Sequence, residues 1–148
     1  MITAAPLAAA DATLLLAAYA AEMRGLLHGG AVARAEDAAA LLEGTPLLDA
    51  FDGGVPVGFL LLIEIPEIVF ARRCGQIEDL FILPPYRQRG AARMLLAAAE
   101  SMARTRGLSH IRWFVPEGDA AAIALYEKIA ERAAWRGYIL RLDANASL

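Results

Sequence analysis

The chain is poor in the residues on which many enzyme chemistries depend. Cys74 is its only cysteine, which excludes an intrachain disulfide and fits a reducing compartment. His28 and His110 are the only histidines, and no Cys/His/carboxylate spacing of the kind that signals a metal centre occurs, so no metal is expected. Ser101 and Ser109 stand in no G-x-S-x-G turn, and both the Walker G-x-x-x-x-G-K-[ST] and the dinucleotide G-x-G-x-x-G patterns are missing. Serine-based hydrolysis, nucleotide hydrolysis and hydride transfer therefore lack support. No uninterrupted apolar run reaches the roughly 20 residues that span a bilayer. The apolar opening "MITAAPLAAADATLLLAAYAAEMRG" has no basic n-region and is interrupted by Asp11, which reads as a strand and helix rather than a signal peptide. The expectation is a soluble, cytoplasmic protein with no membrane partner.

What is present points to one α/β domain covering residues 1–148, a length that buries a core without disulfides. The 58% hydrophobic content is inflated by alanine. A net charge of −3 and a pI near 5.4 argue against nucleic-acid binding. Lys128 is the only lysine, a bias that reads as genomic base composition. The basic residues are scattered except for Arg87, Arg89 and Arg93, and one local basic loop on an acidic protein suggests a compact anionic ligand.

Periodicity gives the elements. "MITAAP" reads as an edge strand, followed by a helix capped by Asp11 with Leu14, Leu15, Ala18, Tyr19 and Met23 on one stripe. "LLHGGAVAR" reads as a turn, and a second helix from Ala35 to Leu42 ends at Gly44-Thr45-Pro46. "LLDAFDGGVPVGFLLLIEI" is a hairpin around Asp52-Gly53-Gly54. "CGQIEDLFIL" is a buried strand halted by Pro84-Pro85, and a helix follows to about Arg106. "SHIRWFV" is a strand, "DAAAIALYEKIA" a helix with Asp119 at its N-cap, and "WRGYILRL" a closing strand. Trp113, Trp135 and Met102 are read as core. The order indicates a mixed α/β (α+β) fold with a mostly antiparallel sheet, containing one parallel crossover from "IEDLFIL" to "HIRWFV". A ligand site is expected off the carboxyl ends of those two strands.

"PPYRQRGAARML" gathers three arginines around a helix start, where N–H groups and the macrodipole favour negative charge. No Asp, Glu, Ser, Thr or Asn lies between Ile82 and Ala99, so an outside anion is the natural complement. Gly90 allows close backbone approach, and Ala91 and Ala92 leave the helix start uncrowded.

Arg87-Gln88-Arg89-Gly90-Ala91-Ala92 resembles the [QR]-x-x-G-x-[GA] signature of the GCN5-related N-acetyltransferases, whose loop amides hold the pyrophosphate of acetyl-CoA. The preceding "EDLFILPPYR" is similar in context. Asp119, Ala122, Leu125 and Tyr126 fall at the offsets of the family's N-x-x-A-x-x-L-Y helix, with Asp119 in place of Asn and Ala130 where a glycine commonly follows. "QIEDLFIL" and "WRGYILRL" are most similar to the diamine and polyamine branch.

The resemblance implies acetyl-CoA as cosubstrate, direct transfer to a primary amine of a small molecule, a GNAT-like sheet with helices on both faces, and a homodimer. It implies cofactor contacts from Phe81, Ile82 and Leu83 through a freed N–H, from Arg87 to Arg93, and from Asp119 and Tyr126. Tyr126 matches the family's proton donor to the CoA sulfur. Glu78 is the candidate base, directly or through water. Asp79 and Glu22 are the candidate carboxylates for a cationic amine. Adjacent strand residues face opposite ways, so Glu78 and Asp79 serve one site only if a bulge or twist intervenes. Arg87 either contacts phosphate or buttresses the turn, and Arg89 and Arg93 are read as solvent-facing. A non-catalytic acyl-CoA-binding module and a protein N-acetyltransferase remain the alternatives.

Overall fold

The computed structural model describes residues 1–27, 34–45, 47–140 and 142. Most of the "LLHGGAVAR" turn lies outside the described residues. The chain divides into two compact units, Met1–Ala20 with Ala33–Phe114, and Ala21–Val32 with Val115–Leu148.

The first unit holds a five-stranded sheet in the order β1 (Ile2–Leu7), β2 (Leu47–Asp52), β3 (Val55–Glu67), β4 (Arg72–Ile82) and β5 (Ile111–Trp113). All neighbours are antiparallel except β4 and β5, the parallel pair expected from the crossover. Its helices are the first part of α1 (Thr13–Leu27), α2 (Ala35–Leu41) and α3 (Ala91–Thr105). Leu47 and Leu48 are both buried although they point to opposite faces, because helices cover the sheet on both sides. On one face Leu47, Phe59, Leu61 and Phe81 pack with Leu15 and Leu16 of α1. On the other, Ala50, Val57, Leu60 and Ile82 pack under Ala91, Leu95 and Ala99 of α3, whose small residues let the helix lie close.

One close approach fixes the geometry of β4. A Cβ on Gly58 would lie 2.6 Å from the Phe81 carbonyl oxygen, so only glycine lets β3 and β4 meet at this register.

In the second unit, α4 (Ala120–Ile129) forms as read, with Asp119 Oδ1 accepting from the Ala122 N–H at 3.1 Å. "SHIRWFV" shortens to the three residues Ile111–Trp113, and Phe114 is exposed. The expected closing strand does not form. Residues 131–140 form no strand, and Trp135, read as core, is 77% exposed with Tyr138 and Leu140 exposed beside it. Strand-like composition does not suffice without a neighbour to satisfy backbone N–H and C=O groups, and these residues have no ladder partner among the described residues. Among those residues no helix is long and apolar enough to cross a membrane.

Asp49 is the anomaly of the core. It is fully buried opposite Phe59, and neither carboxylate oxygen has a hydrogen-bond partner among the described residues. Burial pushes its pKa from 3.8 up to about 7. Between those values the folded chain holds a proton that the unfolded chain has released. Stability from this group is therefore complete below pH 3.8 and is lost as pH rises through about 7. The limiting slope is about 1.4 kcal/mol per pH unit. Denaturant melts at pH 5, 6.5 and 8 should show Asp49→Asn losing less stability with rising pH than the parent. Parallel slopes would remove the carboxyl as the cause.

Candidate active site

The chain leaves β4 at Ile82, makes a single 3-10 turn over Pro84–Tyr86, and enters α3 at Ala91. Gln88 and Gly90 both have positive φ, at 59° and 84°, so the backbone alternates its handedness just before the helix, the alternation by which successive N–H groups can face one anion. Gly90 is the N-cap residue, no side chain caps the helix, and its first turn carries no acid. The leading N–H groups of α3 thus have no side-chain acceptor, and the space where a Gly90 Cβ would stand is open to 4 Å.

The arginines divide their work. Arg87 Nε donates to the Ile82 carbonyl at 2.8 Å and its guanidinium lies over the Phe81 ring, so this side chain buttresses the turn. Arg89 reaches Asp52 at the end of β2 (3.3 Å) and lies over Tyr86. Asp52 is the counter-charge that the local sequence lacks. Arg93 and Gln88 are exposed, as is Gly90, while Ala91 is buried and Ala92 half-buried.

β4 is paired unequally on its two sides. β3 accompanies it from Arg72 to Ile82, whereas β5 pairs only with Gly75, Gln76 and Ile77. Beyond Ile77 the β5 side of the strand has no ladder partner among the described residues. Leu83 N–H donates to Val57 O at 2.9 Å, and N–H direction alternates along a strand, so Phe81 also turns toward β3. Of the three residues expected to offer a freed N–H, Ile82 is the one whose amide faces the open side.

The bulge that the two carboxylates require lies between them and Ile77. The register runs from Leu61↔Asp79 to Leu62↔Ile77, leaving Glu78 as the extra residue. Gln76, Glu78 and Asp79 consequently share one face: Gln76 Nε2 donates to Glu78 Oε2 at 2.8 Å, and Arg112 Nε donates to Gln76 Oε1 at 3.1 Å. Glu78 is exposed and Asp79 half-buried. Burial, and secondarily the neighbouring Glu78 charge, hold the Asp79 pKa above the usual carboxylate range against the lowering effect of a hydrogen bond donated by Tyr19. Tyr19 itself is wedged against Phe59 and Phe81, with ring centroids 5.4 and 5.6 Å away. Its place in the apolar stripe of α1 was readable from sequence. Its polar tip on Asp79 was not, because 60 residues separate them.

In the second unit, Tyr126 lies half-buried on α4, and burial with the Asp119 charge pushes its hydroxyl pKa up, keeping it protonated. Asp119 is spent on capping the helix. Ala130 ends α4 in extended conformation (φ −141°), so that position needs no glycine. Glu22 is half-buried on α1.

Against known proteins, residues 14–130 match the Acetyltransferase (GNAT) family. The chain is 29% identical over 100 residues to L-ornithine N5-acetyltransferase NATA1 of Arabidopsis thaliana, covering 68% of this chain and 44% of that protein. It is 34% identical over 83 residues to the thialysine N-epsilon-acetyltransferase of Caenorhabditis elegans, covering 54% and 49%. The chain therefore spans about half the length of these relatives. Among solved structures, the ribosomal-protein-alanine N-acetyltransferase of Brucella melitensis superposes with a TM-score of 0.82 at 28% identity, covering 96% of this chain and 99% of that one. An aminoglycoside acetyltransferase, HMB0005, from an uncultured soil metagenomic sample shares the fold at a TM-score of 0.76 and 24% identity, covering 97% and 99%.

The Tyr19 bond to Asp79 has a direct consequence. Tyr19→Phe removes the one hydrogen bond that lowers the Asp79 pKa and should raise that pKa further. Carboxyl 13C NMR titration reads it, and an unchanged or lower value would show that the hydroxyl does not stabilise the carboxylate.

Proposed function

The chain belongs to the acetyltransferase (GNAT) family, and on that premise we propose that it transfers the acetyl group of acetyl-CoA to a primary amine of a small molecule by direct attack, with no covalent enzyme intermediate. The observation that carries the proposal is the uncapped start of α3 behind the Gln88–Gly90 turn, which suits a pyrophosphate in charge and in donor direction. The span of the family match across both units supports residues 1–148 working as one N-acetyltransferase domain.

The steps follow from the chain's own groups. Residues Gln88 to Ala92 hold the pyrophosphate through backbone N–H groups, with Arg93 adding long-range attraction and Arg87 keeping the turn in shape. Glu78 takes a proton from the substrate ammonium through water, and the freed nitrogen attacks the thioester carbonyl carbon. Ile82 N–H, on the open side of β4, stabilises the developing oxyanion. The C–S bond then breaks while Tyr126 gives its hydroxyl proton to the leaving thiolate, and the second proton of the attacking nitrogen passes through water to restore the Tyr126 hydroxyl, leaving an amide and free CoA. Asp79, anchored by Tyr19, and Glu22 attract the cationic amine. Relatives named for ornithine and thialysine acetylation support an amino acid bearing a side-chain amine as the acceptor. A protein amine is the second reading, favoured by the nearly complete coverage of the Brucella ribosomal-protein-alanine enzyme. A cytoplasmic homodimer completes the proposal, and sedimentation of the purified chain tests the dimer.

Saturating acetyl-CoA should raise Tm, since a ligand at 100 times its Kd adds about 2.7 kcal/mol to the folded state. No shift would sink the proposal. Thiol release should be seen with ornithine, thialysine or diamines; release only with a peptide bearing N-terminal alanine selects the protein-directed reading, and stabilisation without turnover selects a binding module. Tyr126→Phe should lower kcat by roughly 100-fold or more with acetyl-CoA binding retained. Lost binding instead would remove its assignment as proton donor.

A further inference from the structure

At the opposite end of β4 from Ile82, three side chains with metal-binding atoms converge. The β3–β4 hairpin places Glu67 and Cys74 on one face of its tip, with Ile65 opposite Cys74 and Glu67 opposite Arg72. The start of β5 brings in His110, fixed by the Ser109 N–H to Arg73 O (2.8 Å) and by Gly75 N–H to His110 O (2.9 Å). A Glu67 carboxylate oxygen, the Cys74 Sγ and a His110 ring nitrogen all lie within 4.8 Å of one another. No linear motif joins these residues, which is why their spacing predicted no metal.

The hydrogen bonds around the cluster orient its donor atoms. Ser109 Oγ donates to Glu67 Oε2 at 3.0 Å, which commits the only hydroxyl proton. The 3.0 Å contact between Ser109 Oγ and His110 Nδ1 must then be the ring N–H donating to the hydroxyl. That tautomer turns the Nε2 lone pair toward Glu67 Oε1, 3.9 Å away. Two lone-pair-bearing atoms facing each other repel unless something positive lies between them. A proton on Nε2 would serve for His110 and Glu67 alone, but it gives no role to the thiol that completes the triangle. Outer-sphere bonds of this kind, fixing imidazole and carboxylate together, are what metal ligands characteristically have. Cys74 is 1% exposed and His110 about 44%, so the thiol forms the floor and the imidazole side is the entry path.

We propose that Glu67, Cys74 and His110 form a binding site for a divalent zinc-type ion, with water as the fourth ligand. The mixed S, N and O donors suit zinc best. Bond lengths of about 2.0–2.3 Å place tetrahedral ligand atoms about 3.3–3.7 Å apart, so the partly exposed Glu67 and His110 side chains close by about 1 Å on binding. Binding converts the Cys74 thiol to a zinc-bound thiolate and releases one proton, with no change of oxidation state. The ion ties the hairpin tip to β5 at the opposite end of β4 from Ile82, and its effect is on stability.

Titration of the chelator-stripped full chain with Co2+ tests this. One equivalent should produce a thiolate-to-cobalt absorption band that Zn2+ bleaches, and Zn2+ should raise Tm. Cys74→Ser should abolish the band, while Glu67→Gln and His110→Ala should each weaken binding roughly ten-fold or more with far-UV circular dichroism unchanged. Absence of saturable binding, or binding unaltered in Glu67→Gln and His110→Ala, would overturn the proposal, and those two variants decide it should Cys74→Ser fail to fold. None of these readouts uses acetyl-CoA, so the outcome is independent of the acetyltransferase proposal.

Discussion

The structure turns on the unequal pairing of β4. One side of the strand is held by β3 along its whole length, while β5 releases the other side after three residues. That release leaves the β5 side of β4 beyond Ile77 without a ladder partner among the described residues. An unpaired strand segment ordinarily invites a neighbour. Here it lies beside a helix start that no side chain caps. The half-paired strand end and the uncapped helix start are joined by the turn from Leu83 to Gly90.

Holding β4 in place without its second neighbour demands unusual tightness from the first. Gly58 supplies it, since any side chain there would strike the Phe81 carbonyl. Arg87 closes the arrangement by donating to the Ile82 carbonyl and covering the Phe81 ring, so its guanidinium is used for shape as much as for charge. The bulge at Glu78 belongs to the same design. It brings Glu78 onto the face of Asp79 and Gln76, and the aromatic set Tyr19, Phe59 and Phe81 then fixes the carboxylate nearest the core. Asp49, buried on the Phe59 side without partners, adds a second perturbed carboxyl to this layer at a cost to stability.

Much of this was legible locally. The helix periodicity of α3 and α4, the Asp52-Gly53-Gly54 turn, the Asp119 cap and the acid-free start of α3 each depend on residues a few positions apart, and each formed where expected. The closing strand did not, because strand-like residues state a preference while a ladder needs a partner. Trp135 stays exposed for the same reason: hydrophobicity says what gains from burial, and only packing says whether a site exists.

Short-range spacing and the charge of one loop already carry the α/β class, the turn and helix that suit a phosphate, and the family signature. Tertiary structure alone decided which face each β4 carboxylate takes, because one bulged residue reverses the alternation. It also decided that Tyr19 meets Asp79, that Asp52 answers Arg89, and that Glu67, Cys74 and His110 converge. These contacts join residues distant along the chain, and their energies depend on distances that only the folded sheet sets.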